Sequence, residues 1–156
     1  MIKLMITASV VLTSSVVWAN GLTASMHTSA SGMHAQSERM KIVAQNIANA
    51  DSTGATPGAE PYRRKTIAFR NEYDPATGAY VVKVDNTGED YNTPFAKRYD
   101  PGHPAANREG YVLRPNVKTT VETVDMKEAE RTYEANLGMM KTTKGMYIST
   151  IDLLRR

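Results

Sequence analysis

Residues 125–156 read DMKEAERTYEANLGMMKTTKGMYISTIDLLRR, and apolar residues recur in this segment every seven positions. The repeat consists of Met126, Tyr133, Met140, Tyr147 and Leu154. Leu137 and Ile151 each follow a member of the repeat at a spacing of four. Such spacing, sustained over about four heptads, predicts a long helix with a coiled-coil-like seam. Asp125 followed by Glu128 predicts a capping box at the start of this helix.

A second apolar stripe lies between Leu22 and Ala50. Its members, spaced by three, four or seven residues, are Met26, Ala30, Met33, Met40, Val43 and Ile47. Because the segment contains no Pro, the pattern predicts a second long helix. The polar run 49–54, which ends in Gly54, predicts the end of that helix.

The middle of the chain has a different character, because it contains all seven Pro residues. Short runs with strand-like composition occupy residues 65–69, 79–84 and 110–113. Clusters of turn-forming residues at 74–78 and 85–88 separate them. The middle therefore predicts an insert with a few short strands, which is too small to bury much surface by itself.

These patterns together predict a mainly α fold, an antiparallel pair of long N- and C-terminal helices, coiled-coil-like, with an irregular β-containing insert. The predicted boundaries are 21–54 for the first helix, 55–124 for the insert and 125–156 for the second helix. Only 41% of the residues are hydrophobic, and there are just two Phe and one Trp. We therefore expect a thin core, with much of the apolar surface buried between subunits.

Residues 1–20 form a segment of their own. Lys3 precedes an uncharged stretch that ends at Ala19, which is typical of a secretory signal peptide. With about 16 residues the stretch is short for a membrane span, which needs roughly 20. The alternative interpretation is a helical extension that is not cleaved, or upstream sequence translated from an early start.

Composition argues against several functional classes. The chain has no Cys, which excludes disulfides and thiolate chemistry. Its net charge of +3 comes without a basic stripe, so we expect no nucleic-acid partner. His27 and His34 would lie roughly 10.5 Å apart along a helix, too far to share one ion. Without a nucleophile motif or a phosphate-binding loop, we expect no catalysis, no metal, no cofactor and no small-molecule substrate.

Four contiguous motifs lie near the two ends of the chain: 31–40 (SGMHAQSERM), 44–53 (AQNIANADST), 124–126 (VDM) and 131–136 (RTYEAN). Through them, both ends of the chain resemble the flagellar axial proteins, the family of rod and hook subunits. Within the insert, 62–65 (YRRK) and 99–107 (YDPGHPAAN) are similar to the proximal-rod members of the family. The resemblance covers about residues 22–156, which leaves the N-terminal segment outside it.

The resemblance implies a structural subunit of the basal-body proximal rod, which assembles through its terminal helices and transmits torque. The implied partners are other proximal-rod subunits, the distal rod, the membrane ring or adaptor at the rod base, and further copies in a helical array. The implied location is the periplasm-spanning rod of the basal body, reached by export. The alternative is a periplasmic envelope binding module, exported by a signal peptide.

The apolar stripes and the resemblance together predict an assembly interface. Its residues are Met33, Arg39, Met40, Asn46, Ile47, Asn49, Met126, Arg131, Tyr133, Asn136, Leu137, Met140, Tyr147 and Ile151. For Asn46 and Asn49 two roles stay open: capping and chain reversal at the helix end, or amide cross-links between neighbouring helices of the rod.

Overall fold

The computed structural model describes the backbone of residues 2–155 and the side chains of residues 21–155. Two helices, α1 (Ile2–Ala48) and α2 (Thr119–Leu154), hold more than half of the chain. Between them lie four strands: β1 (Lys65–Asp74), β2 (Ala79–Glu89), β3 (Ala96–Tyr99) and β4 (Tyr111–Arg114). The predicted mainly helical fold with a β-containing insert is confirmed.

The chain forms two compact units. The first unit comprises Met1–Ala35, Arg70–Lys83 and Thr132–Arg156, and the second comprises Gln36–Phe69 and Val84–Arg131. Both helices contribute to both units, whereas β3 and β4 belong to the second unit alone.

One contact between α1 and α2 is defined in each unit. In the first unit Gly32 lies against Asn136, so closely that a Cβ atom on Gly32 would stand 2.9 Å from Asn136 Nδ2. In the second unit Asn46 Nδ2 donates a hydrogen bond to Glu122 Oε2 at 3.0 Å. Moving forward along α1 from Gly32 to Asn46 therefore means moving backward along α2 by the same number of residues. The two helices pair antiparallel.

β1 and β2 form a two-stranded sheet across the turn at Asp74. Asp74 Oδ1 accepts from the backbone N of Ala76, the Asp74 carbonyl accepts from Gly78 N, and Gly78 has a φ of 65° that favours glycine. The turn predicted at 74–78 is thus confirmed. The turn predicted at 85–88 is wrong, because these residues continue β2. Pairing with β1 outweighs the local turn preference of Asp, Asn and Gly.

β3 and β4 pair antiparallel, with Tyr99 opposite Tyr111 and Ala96 opposite Arg114. Their connection is ordered by its own hydrogen bonds. Asn107 Oδ1 accepts from the backbone N of both Glu109 and Tyr111, and Gly110 turns the chain with a φ of 82°. The loop that carries the YDPGHPAAN motif is therefore a defined structure within a single chain.

The second helix begins earlier than its sequence predicts. α2 starts at Thr119, and the Lys118 carbonyl accepts from the backbone N of Val121 and Glu122. The prediction of a capping box at Asp125 is therefore wrong, since Asp125 lies inside the helix. The first turn is rich in Thr and Val, which have modest helix propensity. It is stabilised instead by the tertiary contacts of Glu122.

The first helix runs from Ile2 without a break at residue 20. The side chains of the signal-like segment lie outside the described residues, so its two interpretations stay predictions. Among the residues that the structure describes, no helix has both the length and the apolar character needed to cross a membrane.

The described core is small and made mostly of small residues. In the first unit the buried hydrophobic side chains are Ala35 and Ala79, and in the second they are Ile42, Val43, Ala105, Val112 and Ala129. Several equally buried positions are polar: Ser29, Asn46, Asn116, Glu122 and Thr143. Polar and small residues therefore decide how closely the elements of each unit approach.

Candidate assembly interface

Asn46, near the end of α1, is the centre of a polar cluster in the second unit. Its side chain is 1% exposed and makes four hydrogen bonds. Nδ2 donates to the Lys65 carbonyl at 2.9 Å and to Glu122 Oε2 at 3.0 Å. Oδ1 accepts from Lys65 N at 2.8 Å and from the Tyr62 hydroxyl at 2.9 Å. The amide is thus fully used within the chain and ties α1 to β1 and α2.

Glu122 in α2 is fully buried and is paired with a cation. Its Oε1 lies 2.6 Å from Arg64 Nε, while Arg64 Nη2 lies 3.6 Å from Asp125 Oδ2. A buried carboxylate is costly unless it is both paired and hydrogen-bonded. Arg64 and Asn46 supply one donor to each carboxylate oxygen, which is why the charge is tolerated at this depth. We refer to Asn46, Arg64 and Glu122 below as the polar cluster.

Asn116 holds Arg64 in place from the other side. Its Oδ1 accepts from Arg64 N at 2.8 Å, and its Nδ2 donates to the carbonyls of Asp90 and Thr93. Asp90 N in turn donates to the Arg64 carbonyl at 2.8 Å. Both the backbone N and the carbonyl O of Arg64 are therefore hydrogen-bonded, which positions its side chain to reach Glu122.

Tyr62 and Arg63 complete the environment of the YRRK motif. Burial, followed by the negative charges of Glu122 and Glu89, raises the pKa of Tyr62. The Arg63 guanidinium carbon lies 4.4 Å from the ring centroid of Tyr91 and 4.2 Å from that of Phe95. Cation–π contacts of this kind hold the cation on the aromatic surface of the insert. Each residue of the motif thus has a separate role inside the second unit.

The Ser-Gly-Met stretch of α1 has its function in the first unit. Ser31 Oγ accepts from Val82 N at 3.1 Å and donates to the Thr28 carbonyl, while Thr28 Oγ1 donates to the Tyr80 carbonyl. These bonds attach one side of α1 to β2. Gly32 leaves room for Asn136 of α2, whose Nδ2 donates to the Thr132 carbonyl. The motif therefore allows both neighbours to approach the same turn of α1.

The seam of α2 has the predicted period but a different composition. The most buried positions of α2 are Glu122, Ala129 and Thr143, and the half-buried Asn136 completes the same seven-residue spacing. Met126, Tyr133 and Met140 lie beside this line and are half-buried. Polar and small side chains therefore occupy the centre, and two of them, Asn136 and Glu122, meet Gly32 and Asn46 of α1.

The other predicted residues are distributed between the seam and the surface. Half-buried positions in α1 are Met33, Arg39, Met40 and Ile47, and Leu137 in α2 is half-buried as well. Arg131 is exposed, as are Tyr147 and Ile151, each at 40%. Asn49 caps the end of α1, because its Nδ2 donates to the Gln45 carbonyl and its Oδ1 accepts from Ser52.

The C-terminal half of α2 exposes a large apolar surface. We call it the C-terminal apolar face, and its members are Met139, Met146, Tyr147, Ile151, Leu153 and Leu154. Met139, Met146 and Leu153 are spaced by seven residues and are 55%, 55% and 73% exposed. Tyr147 and Leu154 continue the seven-residue spacing of Met126, Tyr133 and Met140, and Ile151 follows Tyr147 at a spacing of four.

The 99–107 motif packs on the segment that follows α1. His103 Nδ1 accepts from Ala105 N, which places the proton of the neutral imidazole on Nε2, 3.3 Å from Thr53 Oγ1. Arg114 forms an ion pair with Asp51. Among the described residues, no group of three or more His, Asp or Glu is placed to hold a metal. The motif is thus a structural connection.

Sequence reasoning missed Glu122, Asn116 and Gly32 as determinants of this arrangement. A Glu one turn inside a Thr- and Val-rich helix start, and a lone Asn after a Pro, carry no periodic signal. Gly32 was visible as the sole Gly inside the predicted stretch of α1, and a Gly in a helix interior often marks close packing.

Comparisons with known proteins agree with these features. Residues 26–56 match the family model described as "Flagella basal body rod protein", and residues 108–153 match "Flagellar basal body rod FlgEFG protein C-terminal". The chain is 49% identical to "Flagellar basal-body rod protein FlgC" of Agrobacterium fabrum, over 86% of this chain and 96% of the relative. It is 38% identical to the protein of that name from Salmonella typhimurium, over 79% and 90%. For the Bacillus subtilis protein the identity is 35%, over 83% and 95%.

Proposed function

Because the chain belongs to the FlgC family of flagellar basal-body rod proteins, we propose that it builds the rod by burying the C-terminal apolar face of α2 against neighbouring subunits. Its relatives are structural subunits of the rod, and their names place them in the flagellar basal body. An envelope binding module is not favoured by these relatives.

The observation that carries the proposal is the exposure of large apolar side chains at regular spacing. Leu154 is 82% exposed, Leu153 73%, and Met139 and Met146 are both 55% exposed. Several exposed large apolar side chains on one helix typically mark a protein–protein contact. Their seven-residue spacing suits a helix partner, because a heptad line faces a second helix along its whole length.

The predicted interface residues fit this surface in part. Tyr147 and Ile151 belong to it, and the exposed Arg131 lies further back on the same helix. Met140, Leu137 and Tyr133 are half-buried on the same helix. Asn46 and Asn136 support assembly indirectly, because Asn46 binds Glu122 of α2 and Asn136 lies against Gly32 of α1.

The insert offers a second set of contacts to other rod proteins. The rings of Tyr73 and Tyr80 meet at a tilt of 57° and a centroid distance of 5.2 Å in the first unit, and those of Tyr99 and Tyr111 meet edge-on at 5.3 Å in the second. These rings are 43% to 67% exposed. Exposed tyrosines are common at interfaces because they bury much area at a low entropic cost. We assign these pairs to contacts with proximal-rod, distal-rod or membrane-ring proteins.

We further propose that the chain is exported with little tertiary structure and completes its folding on assembly. The small described core supports this step, because few apolar side chains are buried before a neighbour is present. The rod then gains its stiffness from the apolar surface buried between subunits, and catalysis has no place in this role.

A pair of substitutions on α2 tests the proposal. Met146→Asp places a charge in the C-terminal apolar face and should abolish incorporation into basal bodies, with loss of motility. Ser149→Asp adds the same charge to the same helix at an exposed polar position, and it should incorporate normally. Deletion from Thr142 onward should also prevent incorporation.

Basal bodies isolated from each strain are examined by immunoblotting, and the helical content of each purified chain is compared by circular dichroism. Normal incorporation of a folded Met146→Asp chain would refute the proposal, since that surface would then be free in the rod.

A further inference from the structure

The seven-residue repeat leaves the alignment of the two helices ambiguous. Met26, Met33, Met40 and Ile47 recur every seven residues in α1, and Met126, Tyr133, Met140 and Tyr147 do so in α2. Sliding one helix past the other by seven residues brings one apolar side chain into the place of another. The apolar residues by themselves therefore allow several registers.

The observed register is a single one. Gly32 lies against Asn136 in the first unit, and Asn46 binds Glu122 in the second. In both pairs the two residue numbers have the same total, which is the signature of one antiparallel alignment. A seven-residue slip would separate Asn46 from Glu122 by roughly 10.5 Å along the axis.

The apolar repeat cannot distinguish between these registers, but the polar cluster can. In the observed alignment both Glu122 oxygens have donors, Arg64 Nε at 2.6 Å and Asn46 Nδ2 at 3.0 Å. Arg64 cannot follow a slipping helix, because Asn116 and Asp90 hold its backbone N and O. After a slip, Glu122 would keep its burial without these partners, which is strongly unfavourable for a carboxylate.

We propose that Asn46, Arg64 and Glu122 form a register lock, which selects one alignment of α1 and α2 among those that the heptad repeat permits. A single buried polar pair has this role in other paired helices, where it specifies register at a cost in stability. The lock joins the end of α1, the start of β1 and the first turn of α2, so it closes when the insert folds.

Engineered cysteine pairs measure the register directly, since the chain has no Cys of its own. Ser25→Cys is combined with Cys at Thr143, which reports the observed register, or at Asn136 or Thr150, which report slips of seven residues in either direction. A disulfide needs Cα atoms within about 7 Å, so each pair reports one alignment.

The pairs are introduced into the full-length chain, into Arg64→Met/Glu122→Met and into a control. The double Met variant removes the charge pair between Arg64, which precedes β1, and Glu122 of α2, together with the bond from Asn46 to Glu122, and it leaves Asn46 its bonds to Lys65 and Tyr62. The control is Lys83→Met/Glu72→Met, which removes an exposed ion pair of the same 2.6 Å length in the first unit.

In the unaltered chain and in the control we expect oxidation to link position 25 to 143 alone. In Arg64→Met/Glu122→Met the 25–136 or 25–150 product should rise at least tenfold, while the helical signal is kept. Exclusive 25–143 linkage in that variant would overturn the register lock and leave the cluster with a purely stabilising role. Failure of 25–143 to form in the unaltered chain would overturn it as well.

If the double Met variant loses its helical signal, Glu122→Gln replaces it with the same criteria. Gln has one acceptor oxygen for two donors, so it weakens the lock while keeping side-chain volume. These readouts use the purified chain, so they fail or succeed independently of incorporation into basal bodies.

Discussion

Gly32 of α1 lies in van der Waals contact with the side-chain amide of Asn136 of α2, and a Cβ at position 32 would approach the three terminal amide atoms to 2.9–3.1 Å. Asn136 cannot turn away freely, because its Nδ2 donates to the Thr132 carbonyl. The closest described approach of the two helices in the first unit thus depends on a residue without a side chain.

Replacing Gly32 with Ala should therefore destabilise the chain. Overpacking typically costs about 1–3 kcal/mol, against a helix-propensity gain of about 1 kcal/mol for Gly→Ala. We expect a net loss of about 1 kcal/mol, measured by urea denaturation followed by circular dichroism. Gly138→Ala is the matched control, because a Cβ at Gly138 meets nothing within 4 Å, and it should stabilise. The double variant Gly32→Ala/Asn136→Ala should recover the loss, and no recovery would contradict the contact.

Glu122→Gln should cost about 1–3 kcal/mol, the range for leaving a buried donor without an acceptor, because Arg64 keeps Asp125 as a partner. Either Arg64 Nε or Asn46 Nδ2 would then face the new amide nitrogen without an acceptor. Denaturant titration of the purified chain gives the difference in unfolding free energy. The exposed Glu130→Gln on the same helix should change it by less than about 0.5 kcal/mol. Equal effects of the two substitutions would mean that Glu122 is solvated.

The Tyr62 hydroxyl should ionise at a higher pH than an ordinary tyrosine side chain. Burial, then the charges of Glu122 and Glu89, raises its pKa above the ordinary value of 10.0. Because the folded-state pKa lies above the unfolded one, the contribution of the neutral phenol to stability is complete below pH 10 and is lost as the pH rises through the folded-state pKa. A titration of phenolate absorbance should contain a late component that is absent from Tyr62→Phe.

Tyr91 provides the comparison for this titration. Its hydroxyl bonds to Glu89 Oε2 at 2.8 Å, which raises the pKa of Tyr91 as well, but Tyr91 is 72% exposed. Tyr91→Phe should remove a second late component and leave the component that belongs to Tyr62. If Tyr62→Phe left the titration unchanged, the hydroxyl would not be enclosed by the cluster.

Gly110→Ala should destabilise the loop between β3 and β4 through two effects. Its φ of 82° is unfavourable for Ala, and the new Cβ would stand 2.8 Å from Tyr99 Cε2. Gly78→Ala isolates the first effect, because Gly78 has a φ of 65° and open space around it. We expect about 1–2 kcal/mol for Gly78→Ala and a larger loss for Gly110→Ala. Equal losses in denaturation experiments would show that Tyr99 moves aside without cost.

The sequence by itself determined the two helices, the turn at 74–78 and the seven-residue period of α2, because these depend on local and periodic patterns. The absence of Pro, the spacing of apolar residues and a glycine at a tight turn each determine the conformation of the segment that contains them. The rod family was equally accessible from the residues, since its motifs are contiguous stretches of both helices.

The tertiary structure alone decided which residues lie at the centre of the helix pair. Hydrophobic periodicity finds Met126, Tyr133 and Met140, yet the most buried members are Glu122, Ala129 and Thr143. A buried carboxylate is stable at that position only because Arg64 and Asn46 reach it from parts of the chain 58 and 76 residues away. The start of α2 at Thr119 and the extension of β2 through residues 85–88 have the same physical origin. Long-range hydrogen bonds and close packing there outweigh local propensity, and neither can be inferred from neighbouring residues.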